Sequence, residues 1–174
     1  MKKTFILTLL TLGLILMSPL AVVAQYGNPT AILEYYEDEF EIELTDADGA
    51  EISDIYCGME LSIGDTIKTN DTSAELSLDP NGSIIKLSSE TIFTLENLQK
   101  TAAESNEFSL ITGKMHAIAA IAGIGESYEV TTVSAVCSVR GTEFGVISVP
   151  GSEEQAYVID GDVSYTKKST NGSD

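Results

Sequence analysis

The residue types that most often perform chemistry are scarce in this chain of 174 residues. The chain has one histidine, His116, and two cysteines, Cys57 and Cys137, which lack the C-x-x-C spacing of redox or zinc sites. His116 lies among apolar neighbours, and a lone histidine in that setting is typical of a core. The G-x-S-x-G and H-E-x-x-H patterns, which present a nucleophile or hold a metal, are both missing. We therefore expect no catalytic residue, no metal site and no cofactor.

The two cysteines permit one disulfide. They lie 80 residues apart, and closing so long a loop would stabilise the fold by roughly 4–5 kcal/mol at most. The alternative is a pair of buried free thiols that act as small hydrophobic side chains. The spacing alone does not decide between a Cys57–Cys137 bond and two thiols.

Arg140 is the only arginine, and it lies between apolar residues of a predicted strand. In so acidic a chain we expect it to meet a carboxylate, and Asp65 in the turn at Gly64–Asp65 is the candidate. Such a pair would act as a buried clamp, and contact with an anionic ligand is the alternative. Gly141, inside the same strand, predicts a β-bulge or a close backbone approach.

A segment rich in carboxylates begins near the end of the polar lead-in. Ten of the 21 residues from Glu34 to Asp54 are acidic. Residues 40–44 alternate apolar and acidic side chains, Asp46–Gly49 has turn chemistry, and residues 50–55 can return as a second strand. We predict an acidic hairpin with a solvated outer face. A basic partner or divalent ions would be the functional alternative, although the segment lacks the frame of an EF-hand calcium loop.

In the rest of the chain, short β-branched runs are separated by Gly, Asn and Asp every eight to twelve residues. This pattern predicts an all-β fold, a compact antiparallel sandwich or roll of short strands. The predicted domains are a signal peptide (1–24), a lead-in (25–38), a β domain (39–166) and a flexible end (167–174).

The first 24 residues have the layout of a secretory signal peptide. Lys2 and Lys3 precede an uncharged apolar run, Pro19 breaks it, and Val22-Val23-Ala24 ends it with modest side chains. We predict cleavage between Ala24 and Gln25, after a helical signal segment. An uncleaved anchor is the alternative, because 20 residues are about enough to span a bilayer. The protein is thus expected to be exported, to the periplasm or the extracellular space.

Charge excludes one class of partner. The chain carries 27 acidic and 9 basic residues, a formal net charge of −18. Loss of Lys2 and Lys3 with the signal would leave seven basic residues and a net charge of −20. Nucleic acids and anionic membrane surfaces repel such a protein, so we expect contact with a membrane only through an uncleaved N-terminal segment.

Several motifs follow one another in an order that resembles the FecR-like domain family. Residues 58–69 resemble its G-x-x-L-x-x-G-D-x-I-x-T opening, which includes Gly64, Asp65 and Thr69. A D-G-S turn at Gly82 and an L-x-x-G segment at Gly113 are similar to the family's middle part. Its closing V-R-G-T-x-F signature is matched by residues 139–144, with Arg140, Gly141, Thr142 and Phe144. The likeness runs from about residue 40 to residue 165.

The resemblance implies a β-rich domain outside the cytoplasm. The best-known members pass a signal from an outer-membrane transporter to a sigma factor, through a cytoplasmic segment and a membrane helix. Here only Met1–Thr4 precede the apolar run and the chain stops at Asp174, so we do not expect that role to transfer. The usual T-P before the last motif is Thr132-Val133 here. The expected function is a non-enzymatic envelope module that binds a protein or a glycan. A structural domain of an envelope assembly, or a remnant of such a regulator, is the alternative.

Overall fold

The computed structural model describes residues 28–101, 103–119 and 127–168. These residues form eleven strands: β1 (Thr30–Tyr36), β2 (Ile42–Thr45), β3 (Met59–Leu61), β4 (Thr66–Thr69), β5 (Ala74–Asp79), β6 (Ser83–Leu87), β7 (Thr91–Asn97), β8 (Asn106–Ile118), β9 (Tyr128–Thr132), β10 (Ala135–Ser148) and β11 (Gln155–Lys167). No stretch within them is a helix long and apolar enough to cross a membrane. The predicted signal peptide, its cleavage site and the last six residues lie outside the described residues.

Alternation of apolar and polar side chains makes these segments strands. In β5, for example, Ala74, Leu76 and Leu78 are buried, whereas Glu75 and Ser77 between them are only partly buried. Successive side chains of a strand point to opposite faces of the sheet. One face therefore supplies the core and the other faces solvent.

The strands form one curled sheet in the order β11-β10-β9-β8-β6-β5-β1-β3, with β2, β4 and β7 branching from β8. Strand β8 is the hub. Its first half pairs with β7 and, in parallel, with β9, whereas its second half pairs antiparallel with β6 and β10. Because different neighbours flank the two halves of β8, the sheet curls round and encloses one hydrophobic core.

Aromatic and branched side chains from most of the strands fill that core. The rings of Phe93 on β7 and Phe108 on β8 lie 5.3 Å apart between centroids, and Tyr128 on β9 contacts Phe144 on β10 at 6.5 Å. All four side chains are buried almost completely. A packed core of this kind stabilises the fold without metal or disulfide.

The predicted all-β class is confirmed, and the sheet is a roll. Some predicted elements differ from those observed. Strand β1 lies inside the predicted lead-in, where it pairs with β3 and β5. The second arm of the acidic hairpin is reduced to one bridge between Thr45 and Glu51, and the other edge of β2 pairs with β4. Strands β8, β10 and β11 have 13, 14 and 13 residues, although the sequence pattern predicted only short strands.

Candidate functional site

The turn at Gly64–Asp65 is closed by its own side chain and backbone. Asp65 is 6% exposed, and its Oδ2 accepts a hydrogen bond of 2.8 Å from the Ser62 amide. The Gly64 amide donates to Leu95 on β7 at 2.7 Å. Gly64 has φ +96, and a Cβ there would lie 2.5 Å from the Cβ of Ala47. This position therefore requires glycine, and the turn is a structural element.

Arg140 does not clamp this turn, so that prediction is wrong. Its side chain is exposed, whereas Asp65 is buried and is held by Ser62. Strand alternation explains the difference, because Val139 points into the core and its neighbour must then point outward. Arg140 lies opposite Asp162 of β11, beside an open groove of about 520 Å³. The alternative of contact with an anionic ligand remains a prediction.

The β-bulge predicted at Gly141 is confirmed. The register between β10 and β11 shifts between Arg140 and Glu143, and Gly141 and Thr142 lie at that shift. Beyond it Phe144 is fully buried against Tyr128. The V-R-G-T-x-F segment thus bends the strand and returns it to the core.

Thr69 and Gly113 are connected by a residue that the sequence did not single out. Thr69 is 1% exposed, and its hydroxyl donates to the Ser88 carbonyl at 2.7 Å and accepts from the Thr91 amide at 3.0 Å. The Thr91 hydroxyl accepts from the Lys114 amide at 3.1 Å, and the backbone of Gly113 packs directly against Thr91. Thr91 therefore joins β4 to β8. Only its place at the start of a β-branched run could have indicated it.

The turn that contains Gly82 joins β5 to β6 and is fastened to β9. The Asn81 carboxamide accepts from the Ser83 amide at 2.8 Å and donates to the Tyr128 hydroxyl at 3.2 Å. That hydroxyl also lies 2.6 Å from the hydroxyl of Ser83. These bonds satisfy polar groups at the edge of the core, so this motif also has a structural role.

A line of outward-facing residues crosses the solvent face of the sheet and joins six strands. Each residue lies directly opposite the next on the adjacent strand. Since neighbouring strands lie about 4.8 Å apart, the line is about 24 Å long. We call it the outer row: Tyr35, Glu75, Lys86, His116, Gly145 and Tyr157.

His116 is on this surface and not in the core, which corrects the expectation for it. Its Nε2 lies 3.0 Å from Glu143 Oε1, but this atom makes no hydrogen bond, so the contact is an ion pair when the ring is protonated. The Tyr157 ring stacks beside it at 6.3 Å and 27°. The Tyr157 ring occupies the place that a Cβ of residue 145 would need, so glycine permits this stack.

The other half of the outer row forms a groove of about 420 Å³ between Tyr35 and His116. Lys86 and Glu75 lie on its floor and form an ion pair of 3.1 Å, and Tyr35 at its rim is 51% exposed. The arrangement offers an aromatic surface, one cation and one anion to a ligand. Among the described residues, no group of three or more metal-ligating side chains occurs there or elsewhere.

Comparison with protein families gives the FecR protein model as a match over residues 65–164. That range runs from the Asp65 turn to Ser164 in β11 and covers more than half of the chain. The chain belongs to the FecR family. No curated protein matches it significantly.

The family signature of this FecR domain is largely a signature of its fold. Asp65, Thr69, Gly82 and Gly113 close turns or pack against other strands, and Phe144 fills the core. The outer row lies outside the motifs quoted above. Among the signature residues whose side chains the structure describes, Arg140 is exposed beside a groove and is the one that could also contact a ligand.

The acidic segment uses several of its carboxylates internally. Asp46 accepts from the amides of Asp48 and Ala50 at 2.9 and 2.8 Å, which closes the turn. Glu43 accepts from Lys68 at 2.9 Å and from Asn70 at 2.8 Å, and these bonds lower the pKa of Glu43. Part of this segment thus serves structure, which weakens the case for it as a binding surface.

The two cysteines do not form a disulfide. Cys57 is exposed in a loop, Cys137 is fully buried in β10, and both are free thiols. Burial raises the pKa of Cys137 to about 11. The second alternative from the sequence is therefore correct for Cys137, whereas Cys57 is neither bonded nor buried.

Proposed function

We propose that this FecR domain is a non-enzymatic recognition module of the cell envelope, which binds a glycan or a protein segment along the outer row. The observation that carries the proposal is the line of facing residues from Tyr35 to Tyr157, with a groove in one half of it. Family membership supports the domain type, and the layout of the first 24 residues supports export.

The chemistry of the row suits an extended polar ligand. Exposed tyrosine rings offer flat apolar area with a polar tip, which is typical of recognition surfaces. Lys86 and Glu75 provide a donor and an acceptor at the centre, and His116 with Glu143 provides another such pair. A sugar chain or an extended peptide presents alternating apolar and polar groups that match this pattern.

The same contacts favour binding over catalysis. In the described part of the chain, the Nε2 atom of His116 makes no hydrogen bond, and the side chains that contact the ring are those of Glu143 and Tyr157, neither of which is a serine or cysteine. A general base that activates a nucleophile has to lie within hydrogen-bond reach of it. We therefore propose that His116 contributes contact and charge, not proton transfer.

The test measures retention of the exported protein on purified envelope glycan and on envelope extract. Tyr35→Ala and Lys86→Ala remove the ring and the cation of the groove, and we expect a loss of about tenfold or more in affinity if they are central contacts. Tyr56→Ala is the matched control, because Tyr56 is 59% exposed and lies off the outer row. Equal retention of all three variants and the unchanged protein would refute the proposal.

A structural domain of an envelope assembly is the second candidate. It is favoured by the number of family residues that serve only the fold. Specific retention that depends on Tyr35 would exclude it, whereas self-association without any retained partner would support it.

A further inference from the structure

Strand β11 is an edge of the sheet and is unusual in its length. It has 13 residues and pairs with β10 on one side only, at the end of the strand order. Its other side has no strand among the described residues. The other strands at the ends of the sheet, β3 and β2, have three and four residues. Short outer strands protect a sheet against pairing with another chain, whereas a long one offers a row of open donors and acceptors.

The side chains of β11 are apolar to an unusual degree for an edge strand. Tyr157, Val158, Ile159 and Tyr165 are 42%, 41%, 61% and 43% exposed. Exposed apolar groups along an open strand are typical of places where a further strand adds to a sheet.

We propose that β11 pairs antiparallel with β11 of a second copy of this chain, about a two-fold axis near Gly161, so that two sheets become continuous. Charge argues for this occupant. Glu153 and Glu154 precede the strand, and Lys167 and Lys168 end it. Antiparallel pairing places the acidic start of one copy beside the basic end of the other, whereas parallel pairing would bring like charges together.

The two ends do not contribute equally. Glu154 already accepts hydrogen bonds from Thr132 and Ser134, and Lys168 donates to the Thr132 carbonyl. Glu153 and Lys167 are exposed, and their side chains make no hydrogen bond or ion pair in the described structure. The pair between copies is therefore formed by Glu153 of one and Lys167 of the other.

Two features limit the strength of the dimer. Asp160 and Asp162 flank the axis, so the two copies bring four carboxylates near one another, and each chain has a formal net charge of −18. Like charges at close range destabilise a pair of strands. The dimer is therefore a reversible, concentration-dependent one, and neutralising these aspartates strengthens it.

Sedimentation velocity on the exported protein over a wide concentration range tests the pairing. Ile159→Asp removes an exposed apolar side chain and adds a carboxylate beside Asp160 and Asp162, so it raises the dissociation constant about tenfold or more, the equivalent of about 1.4 kcal/mol. Phe40→Asp is the matched control, because Phe40 is 85% exposed and lies in the acidic segment, and it leaves the constant unchanged. Asp160→Asn with Asp162→Asn lowers the constant.

A charge exchange tests the orientation. Glu153→Lys and Lys167→Glu each weaken the dimer, and the double variant restores it, which a merely misfolded strand would not do. If the protein stays monomeric even when Asp160 and Asp162 are both neutralised, the proposal is overturned. The edge would then be covered by another part of the chain or by a different partner. Association unaffected by Ile159→Asp would overturn it as well. Tyr35→Ala leaves association intact, so this result is independent of ligand binding on the outer row.

Discussion

At the scale of single residues, the most informative contrast is between the only arginine and the aspartate that it was expected to meet. Asp65 is buried and holds the Ser62 amide, whereas Arg140 is exposed on the other side of a strand. A buried acceptor that satisfies a backbone donor cannot be removed without cost. Arg140, which is exposed and has no ion pair among the described residues, can be removed at little cost in the free energy of unfolding.

Asp65→Ala should therefore destabilise the protein by about 1–2 kcal/mol, because the Ser62 amide loses its acceptor. Arg140→Ala should change the free energy of unfolding by no more than about 0.5 kcal/mol. Urea denaturation of both variants measures the difference, with Asp65→Asn as the control that keeps one acceptor oxygen. A large loss for Arg140→Ala would restore the buried clamp.

The two thiols should differ in reactivity. Cys57 is exposed, and Cys137 is buried with a pKa raised to about 11, so it remains protonated at neutral pH. Iodoacetamide should add one group to the folded protein, at Cys57, and a second only after denaturation. Peptide mass spectrometry locates the adducts. Absence of any adduct without prior reduction would indicate a disulfide.

At the scale of the elements, Glu154 joins the turn that precedes β10 to the turn that follows it. Its carboxylate accepts from the Thr132 hydroxyl at 2.5 Å, the Ser134 hydroxyl at 2.6 Å and the Ser148 hydroxyl at 3.3 Å. Burial raises the pKa of Glu154, but hydrogen bonds from Ser134 and Thr132 outweigh it, so the net shift is downward.

A lowered pKa in the folded state means that ionised Glu154 stabilises the protein above the pKa of the unfolded chain, roughly pH 4. This contribution is lost as the pH falls through the lower pKa of the folded state. Glu154→Gln should thus destabilise the protein near neutral pH, and the difference should shrink in acid. Urea denaturation of the variant near neutral pH and in acid tests this difference, with Glu153→Gln, a change at an exposed residue, as the control. A difference that does not depend on pH would rule out the charge as the cause.

The elements also show where sequence patterns suffice. Strands β4 to β7 are short runs between turn residues, and this is the pattern that predicts strands. Strand β1 was missed because Ala31, Ile32 and Leu33 are consecutive apolar residues and the register shifts after Leu33. Glycines at positions 113, 141 and 161 resemble turns, yet all lie within long strands. Local sequence does not distinguish a bulge from a turn, because the neighbouring strand decides between them.

The outer row was beyond local prediction for a related reason. Its members come from six strands, and only the register of five pairings places them in line. The Asp65 carboxylate and the Gly82 amide, in contrast, bond within a few positions of themselves, so their structural roles follow from the local sequence. Sequence therefore predicted the frame of the candidate site better than its surface.

At the scale of the whole molecule, export is the property that remains to be measured. We expect the protein from the envelope or medium to begin at Gln25, because the residues before it have the order of a signal peptide. N-terminal sequencing of that fraction tests the cleavage, and the membrane pellet serves as the comparison. Full-length chain in the pellet would support an uncleaved anchor.

The position of β1 has a kinetic consequence. This strand is near the start of the chain, yet it lies between β3 and β5, and its pairing with β5 joins Thr30 to Asp79. A loop of that length must close, at a cost in chain entropy, before the strand contacts can form. Sheets rich in such distant pairings fold slowly, in milliseconds to seconds. The first of the described strands to leave the ribosome would thus wait unpaired for its partners. Such a delay would suit the export that we propose, in which the chain crosses a membrane in extended form.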